Sequence, residues 1–307
     1  MRLAWPIKAL VSVGSLIGLL WVVPLADIGA AIRSLPLQVF LGAVAVFLLG
    51  HLGAASKWRL LASQPARAPY GRWVEAHFTG LFSNLYLPGV AGGDLVRAGW
   101  LMRESRDKEA IAAAALADRL IDLVALILLA CAGVAAIGTR QANSEWWLLA
   151  TAAGAVAIVS GVGLILPRLF ERSRFPVLRR LSAAAEAVLR RPRHLLTALV
   201  LSVAIQATFV SLNAWLGLAV GVRPGLSAWL FAWPLAKLVA TLPVSIAGIG
   251  VREVALVTLL APFAVPAAAA TAVGLAWEAV LISGAVAGWS LLRLRVALAA
   301  RREVLHR

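Results

Sequence analysis

Charge is scarce in this chain, and acidic charge is the scarcest. Of 307 residues only 14% are Asp, Glu, Lys or Arg, against about 25% in soluble domains. With 62% hydrophobic residues and a mean hydropathy of +0.89, that shortage excludes both an ordinary soluble globule and a disordered chain. It defines a polytopic membrane protein. Too little chain lies outside the apolar runs to fold a soluble domain of roughly 100 residues or more, so residues 1–307 read as a single integral-membrane domain. Cysteine is nearly missing: Cys131 stands alone, inside an apolar run, which excludes a disulfide, a CxxC pair or a Cys/His metal cluster within one chain. The histidines, His51, His77, His194 and His306, are scattered and form no ligand motif. No Gly-Lys-Ser/Thr occurs, so there is no P-loop. Nor is there a nucleophile motif or a dinucleotide loop; no cofactor or metal is implied.

Basic residues number 29 against 14 acidic, a net charge of +15. They sit between apolar stretches, which ties them to membrane topology and to anionic membrane lipids rather than to nucleic acid. Apolar runs of about 17–25 residues are long enough to cross the hydrocarbon core. Six are predicted: Ile7–Leu25, Leu37–Ala55, Ala110–Ile137, Trp146–Pro167, His194–Ala219 and Ala267–Leu292. The first follows Arg2 and Lys8 as a secretory signal would, but it is longer than a signal core and no small-x-small cleavage site follows, so it counts as a span.

Two further apolar regions are interrupted. Hairpin 76–103 is broken by Leu85-Tyr-Leu-Pro-Gly-Val-Ala-Gly-Gly-Asp94, and hairpin 227–262 by Leu242-Pro-Val-Ser-Ile-Ala-Gly-Ile-Gly-Val-Arg252. Pro and Gly clustered this way free backbone groups that lipid cannot satisfy, so such backbone must be buried in protein or line a wet cavity. Both are predicted as re-entrant helix-break-helix hairpins. With the N-terminus inside and each hairpin returning to its own side, about 23 of the 29 basic residues fall on the cytoplasmic side, as the positive-inside rule requires. Lys57–Arg72, Arg97–Lys108, Arg168–Arg193 and the tail Arg293–Arg307 are then all cytoplasmic. Counting both hairpins as full crossings would move the arginine-rich 168–193 segment outside. Within that segment Leu178, Leu181, Ala185, Val188 and Leu189 share a helical face with Arg179, Arg180, Arg190 and Arg191 off it. That pattern predicts a basic amphipathic helix on the inner membrane surface.

The two breaks resemble each other. Pro88 and Pro243 each follow a leucine, and Arg97 and Arg252 each lie nine residues after their proline. A long span with carboxylates follows each: Asp118 and Asp122 in one, Glu278 in the other. Three predicted spans separate the hairpins, so they enter from opposite faces. The first half, 1–137 with hairpin 76–103, and the second, 146–293 with hairpin 227–262, form an inverted repeat of the kind that places a transporter's binding site at its interrupted segments. Chance similarity between two Gly/Pro-rich breaks is the rival account.

Buried ionisable residues carry the chemistry. Asp118 and Asp122 are spaced to share a helix face, with Arg119 about 100° away. An ionised side chain at mid-bilayer costs roughly 2.5–3.5 kcal/mol on insertion scales, so Asp118, Arg119, Asp122 and Glu278 must pair or face water. They either fix the bundle as interhelical salt bridges or line a polar path that couples protons. At the hairpin tips, Gly92-Gly93-Asp94 and Gly248-Ile249-Gly250 let backbone approach a ligand. The helices starting there aim free N–H groups inward, which attracts anions. Arg97 and Arg252 sit close by as candidates for a phosphate clamp. Asp94 is placed to cap the first of these helices, and Glu253 to pair with Lys237 across the second hairpin. The competing account is that the glycines serve tight helix packing and the arginines snorkel.

Ser83-Asn84-Leu85-Tyr86-Leu87-Pro88-Gly89-Val90-Ala91-Gly92-Gly93-Asp94-Leu95-Val96-Arg97 resembles the first signature of the lysylphosphatidylglycerol synthase transmembrane family, also called flippase-like. Asp118-Arg119-Leu120-Ile121-Asp122 resembles its second, usually written with Glu or Asp before the Arg. Pro243-Val-Ser-Ile-Ala-Gly248-Ile-Gly250-Val-Arg252-Glu253 resembles its third. The resemblance spans about residues 5–295. The family includes the membrane half of the multiple peptide resistance factor, which moves aminoacylated phosphatidylglycerol between leaflets. The soluble aminoacyltransferase domain of its two-domain members has no counterpart here. The resemblance therefore implies lipid translocation or binding in a bacterial inner membrane, with both termini cytoplasmic. The substrate would be a phospholipid or lipid-linked sugar bearing phosphate, and the reading of the two hairpins assigns its binding to Asn84, Pro88, Gly92, Gly93, Asp94 and Arg97 of the first and to Lys237, Pro243, Gly248, Gly250, Arg252 and Glu253 of the second. Two rivals stand beside it: an integral-membrane transferase acting on a lipid-linked sugar, with Asp94 or Glu253 as base, and a non-catalytic lipid-binding partner of a synthase or glycosyltransferase.

Overall fold

Proline sets where the helices start. Pro24, Pro36 and Pro69 directly precede α1 (Leu25–Arg33), α2 (Leu37–Leu61) and α3 (Tyr70–Ser83). A residue there has no intrahelical use for the N–H that proline lacks. Pro192 does two jobs. It disfavours helical geometry at Arg191, which takes φ −115° and ψ 69°, and so separates α6 (Pro176–Leu189) from α7 (Pro192–Ala219). The remaining helices are α4 (Ala91–Met102), α5 (Lys108–Gly138), α8 (Leu226–Thr241), α9 (Val251–Leu260), extended by a 3-10 turn at Ala261–Phe263, and α10 (Ala267–Leu305). The computed structural model describes residues 13–15, 17–19, 21, 23–62, 68–87, 91–103, 105, 108–138, 165, 171, 173–241 and 248–305. Most of the predicted span Ile7–Leu25, and all of Trp146–Pro167 but Ile165, lie outside them, as do Pro88 and Pro243. The described residues are helical or irregular, with no strand among them.

Among the described residues four helices are long and apolar enough to cross a membrane: Leu37–Leu61, Lys108–Ile137, Pro192–Ala219 and Ala267–Arg295. The shortest has 25 residues, about 37 Å at 1.5 Å per residue, against a core of about 30 Å. Apart from Trp215, their large exposed hydrophobic side chains are aliphatic, among them Leu41, Leu49, Leu196, Val200 and Leu291, which suits contact with lipid. The protein is a multi-pass helical membrane protein. Helix α2 does not stop at Ala55, the predicted end of its span; it runs on to Leu61. Lys57 is therefore inside the protein, 1% exposed, rather than in a cytoplasmic loop. The carboxylates waiting for it make that burial tolerable, as described below.

Aromatic side chains fill the centre. Trp277 of α10 meets Phe47 of α2, Phe209 of α7 and Trp233 of α8 edge-on, with ring centroids 5.7, 5.6 and 4.7 Å away, the geometry that aromatic quadrupoles favour. A second cluster around Trp58 and Trp73, 5.0 Å apart, joins α2 and α3 to Ala98 and Leu101 of α4 and Ile111 of α5. The basic segment 168–193 contains α6 as predicted from its pattern. Its Val188 packs on the second cluster, and Arg180 reaches Glu109 of α5 at 3.7 Å.

Candidate functional site

Helices α3 and α4 fold back along each other: Gly80 lies against Gly93, and His77 against Arg97. The approach depends on glycine, because a Cβ on Gly80 would stand 2.9 Å from the Arg97 Cβ, and one on Gly93 would stand 2.6 Å from the Asn84 carboxamide. Gly92 packs its bare face on Leu87. The Gly93 N–H at the start of α4 is not free. It donates to Asn84 Oδ1 at 2.6 Å, so the capping expected of Asp94 is done by Asn84. Asp94, in the first turn where the helix dipole favours an anion, instead binds Arg97 at 3.1 Å and Arg119 at 3.7 Å. Arg119, about 100° around α5 from the face of Asp118 and Asp122, reaches the hairpin in this way.

From Arg97 a ladder of charge runs inward. Arg97 lies over the Trp58 ring at 4.6 Å and donates to Asp118 Oδ2 at 2.8 Å. Lys57 stands 3.0 Å from Asp118 Oδ1 and also donates to Asp122, which accepts from Ser202 of α7 as well. Lys57, Arg97 and Asp118 are all buried. Alternating signs hold such charges in a low-dielectric interior, where removing one member leaves another uncompensated.

Helices α8 and α9 repeat the arrangement. Ala240 lies against Gly248, and Gly248 and Gly250 both have φ of 82°, a conformation glycine adopts without steric penalty. The Gly250 N–H donates to Glu253 Oε2 at 2.7 Å, so this helix start is also closed by the chain itself. Glu253 is 0% exposed and lies 3.6 Å from Arg252. It does not pair with Lys237, because its position in the first turn of α9 commits it to the Gly250 N–H. Arg252 also pairs with Glu278 of α10, supplying the partner that Glu278 lacks on its own helix. Lys237 of α8 instead donates to Gln206 Oε1 at 2.8 Å and stands 5.1 Å from the Phe209 ring centre. Among the described residues no carboxylate lies within salt-bridge distance of Lys237.

Both hairpins open on one cavity of about 180 Å³. Asn84, Gly93, Asp94 and Arg97 line it from the first; Lys237, Ala240, Thr241 and Arg252 from the second. Asp118, Arg119 and Asp122 form part of its wall, while Glu253 and Glu278 stand behind Arg252. Among its lining residues the cations Lys57, Arg97, Arg119, Lys237 and Arg252 outnumber the carboxylates Asp94, Asp118 and Asp122. Of the residues singled out from sequence, Pro88 and Pro243 fall outside the described residues. Sequence inspection missed Lys57, Ser202, Gln206 and the histidines His51 and His77, which are not scattered but 3.0 Å apart. A signal for them exists. Phe47, His51, Ala54 and Lys57 recur at helical spacing along α2, and Ser202, Gln206 and Asn213 along α7. The polar members, His51 and Lys57 in the first set and all three in the second, interrupt otherwise apolar spans. Among the described residues no group of three or more His, Cys, Asp or Glu could hold a metal ion.

The fold and this cavity define a class: a multi-pass helical membrane protein enclosing a polar, charged chamber between its helices. The chain belongs to the family described as the lysylphosphatidylglycerol synthase TM region, whose sequence profile matches residues 7–288. No curated protein matches the chain. The family places it among membrane proteins of lipid modification or transport.

Proposed function

We propose that the protein is a lipid translocase of the bacterial inner membrane, moving a lipid with a phosphate-bearing head group between leaflets. The observation that carries this is a single cavity lined from two interrupted hairpins with cations in excess over carboxylates. The hairpin helices have 14, 12, 16 and 10 residues, about 21, 18, 24 and 15 Å. All fall short of a hydrocarbon core of about 30 Å, which supports re-entry. In each hairpin an arginine pairs with a carboxylate of the long helix that follows, Arg97 with Asp118 and Arg252 with Glu278, which supports an inverted repeat; the distribution of basic residues supports cytoplasmic termini.

Lys237 is the first contact for the phosphate, because it has no carboxylate to give up. Arg119 and Arg252 line the same space. The bound carboxylates hold the arginine side chains in place at the cavity wall. Phosphate offers the guanidinium the same bidentate geometry as carboxylate, so the head group can exchange onto them in turn. A transferase would need a carboxylate free to act as base. Glu253 is fully buried and Asp94 is held by two arginines, which favours transport over group transfer.

The test is a leaflet-specific assay in reconstituted vesicles carrying fluorescent phosphatidylglycerol. Wild type is expected to move the label far faster than protein-free vesicles. Lys237→Gln should move it about tenfold more slowly or worse, since a hydrogen bond to a charged group contributes about 1.5–3 kcal/mol. Movement at the protein-free rate in wild type, or a new covalent lipid product, would end this reading.

A further inference from the structure

The groups first expected to couple protons, Asp118, Asp122 and Glu278, are each held by a cation: Asp118 by Arg97 and Lys57, Asp122 by Lys57, and Glu278 by Arg252. Each is thereby committed to an ion pair that holds two helices together. The cavity wall contains one other titratable pair, and it is differently placed. His51 of α2 and His77 of α3 both line the cavity. His51 Nδ1 lies 3.0 Å from His77 Nε2, and His77 Nδ1 lies 3.5 Å from Arg97 Nη1. A guanidinium only donates, so His77 Nδ1 accepts. The N–H of a neutral His77 therefore sits on Nε2 and donates to His51 Nδ1, leaving the His51 N–H on Nε2. The ladder Asp118, Arg97, His77, His51 is thus a hydrogen-bonded chain with a defined direction. Among the described residues neither ring pairs with a carboxylate. His51 is otherwise packed by Phe47 and Phe209, with ring centroids 4.3 and 5.5 Å away.

We infer that His51 and His77 form a proton site that loads together with the head group, making the translocation proposed above a proton-coupled one. The charged groups around the pair set the linkage. From α2 comes Lys57; from α4, Asp94 and Arg97; from α5, Asp118, Arg119 and Asp122; from α8, Lys237; and from α9, Arg252. Helices α7 and α10 present Phe209, Gln206 and Trp277 there, with Glu278 already held by Arg252. Enclosure in the chamber, and after it the surplus of cations in the lining, work against an extra positive charge on either ring. An anionic phosphate reverses that balance and favours one proton on the pair. A second proton is disfavoured by the short distance between the rings. The step is a proton transfer alone: an O–H bond of hydronium breaks as a ring N–H bond forms, leaving water, and the reverse occurs on release. By reciprocity, whatever the phosphate adds to proton affinity, the proton adds to phosphate affinity.

Two measurements decide it. Glycerol 3-phosphate binding to the purified protein, followed by calorimetry in buffers of different ionisation enthalpy, should show uptake of up to one proton per phosphate in wild type and none in the double variant His51→Gln, His77→Gln. In vesicles with fluorescent phosphatidylglycerol, a pH gradient should tilt the label toward the leaflet on the alkaline side. The limit is about tenfold per pH unit for one proton per singly charged lipid. Lipid movement indifferent to the gradient together with binding that takes up no proton would overturn the inference and leave translocation standing, as wild type alone can show. Undiminished proton uptake in the double variant would also overturn it, returning the role to the carboxylates. A wild-type protein that neither binds the phosphate nor moves the lipid would sink the translocation reading and the coupling with it.

Discussion

At the scale of single residues, Lys57 holds the most weight for its size. It is 1% exposed and faces Asp118 and Asp122 at once. Replacing it by methionine keeps the chain length and removes the charge, so two carboxylates lose their shared counter-ion. Breaking a buried pair from one side costs about 3–5 kcal/mol. Lys57→Met should therefore lower the thermal midpoint of the detergent-solubilised protein sharply. Lys57→Met with Asp122→Asn should recover part of the loss; no recovery would mean that Lys57 acts by packing alone. The sequence hid this residue for a physical reason. It follows an apolar run and precedes Arg59 and a polar stretch, so its charge looks like that of a loop. Only the opposing carboxylates, far along the chain, draw the helix onward past it. Arg97 and Arg252 were legible as unusual because each follows a glycine-rich break in an apolar context within a few residues. Their ion pairs with Asp118 and Glu278 were not, since partner choice depends on which helices abut.

At the scale of elements, the interrupted hairpins could be located from sequence because Pro and Gly are strong punctuation in apolar chain. What the pattern could not give was how tightly the arms close. Gly80 and Gly93 set that distance. A side chain at Gly80 would collide with the Arg97 Cβ and the Gly93 carbonyl, whereas Gly99, on the same helix as Arg97, has nothing within 4 Å of its virtual Cβ. Forcing atoms into a packed contact costs about 1–3 kcal/mol, occasionally more. Gly80→Val should therefore destabilise the protein by that amount and, by shifting Arg97 off Asp118, slow lipid movement. Gly99→Val should do neither beyond a small helix-propensity effect. Equal midpoints and equal rates for the two variants would show that hairpin closure does not depend on the glycine contact. The tip N–H groups illustrate the same limit of sequence. Free donors were expected there, but Asn84 and Glu253 occupy them, because a buried backbone donor left without partner is itself expensive.

For the whole molecule, the placement of charge decides how the hairpins meet the membrane. α10 ties to both of them, through Glu278 to Arg252 of the second and through Arg293, 3.6 Å from Glu75, to the first, so one long helix touches both sides of the cavity. If each hairpin returns to its own face, the segment around α6, with Arg179, Arg180, Arg190 and Arg191, lies in the cytoplasm beside anionic lipid. The turn after α7, with Arg223, then lies outside. If each hairpin crosses fully, the arginine-rich segment is carried outward against the positive-inside rule. Cys131 is the only native cysteine, so a Cys131→Ala background accepts single probes. Ser173→Cys should react with a membrane-impermeant maleimide only in inside-out vesicles, and Arg223→Cys only in intact spheroplasts. The reverse pattern at Ser173 would mean that the first hairpin completes a crossing. The cavity would then lie between ordinary spans, and the symmetry on which two-sided access to it depends would be lost.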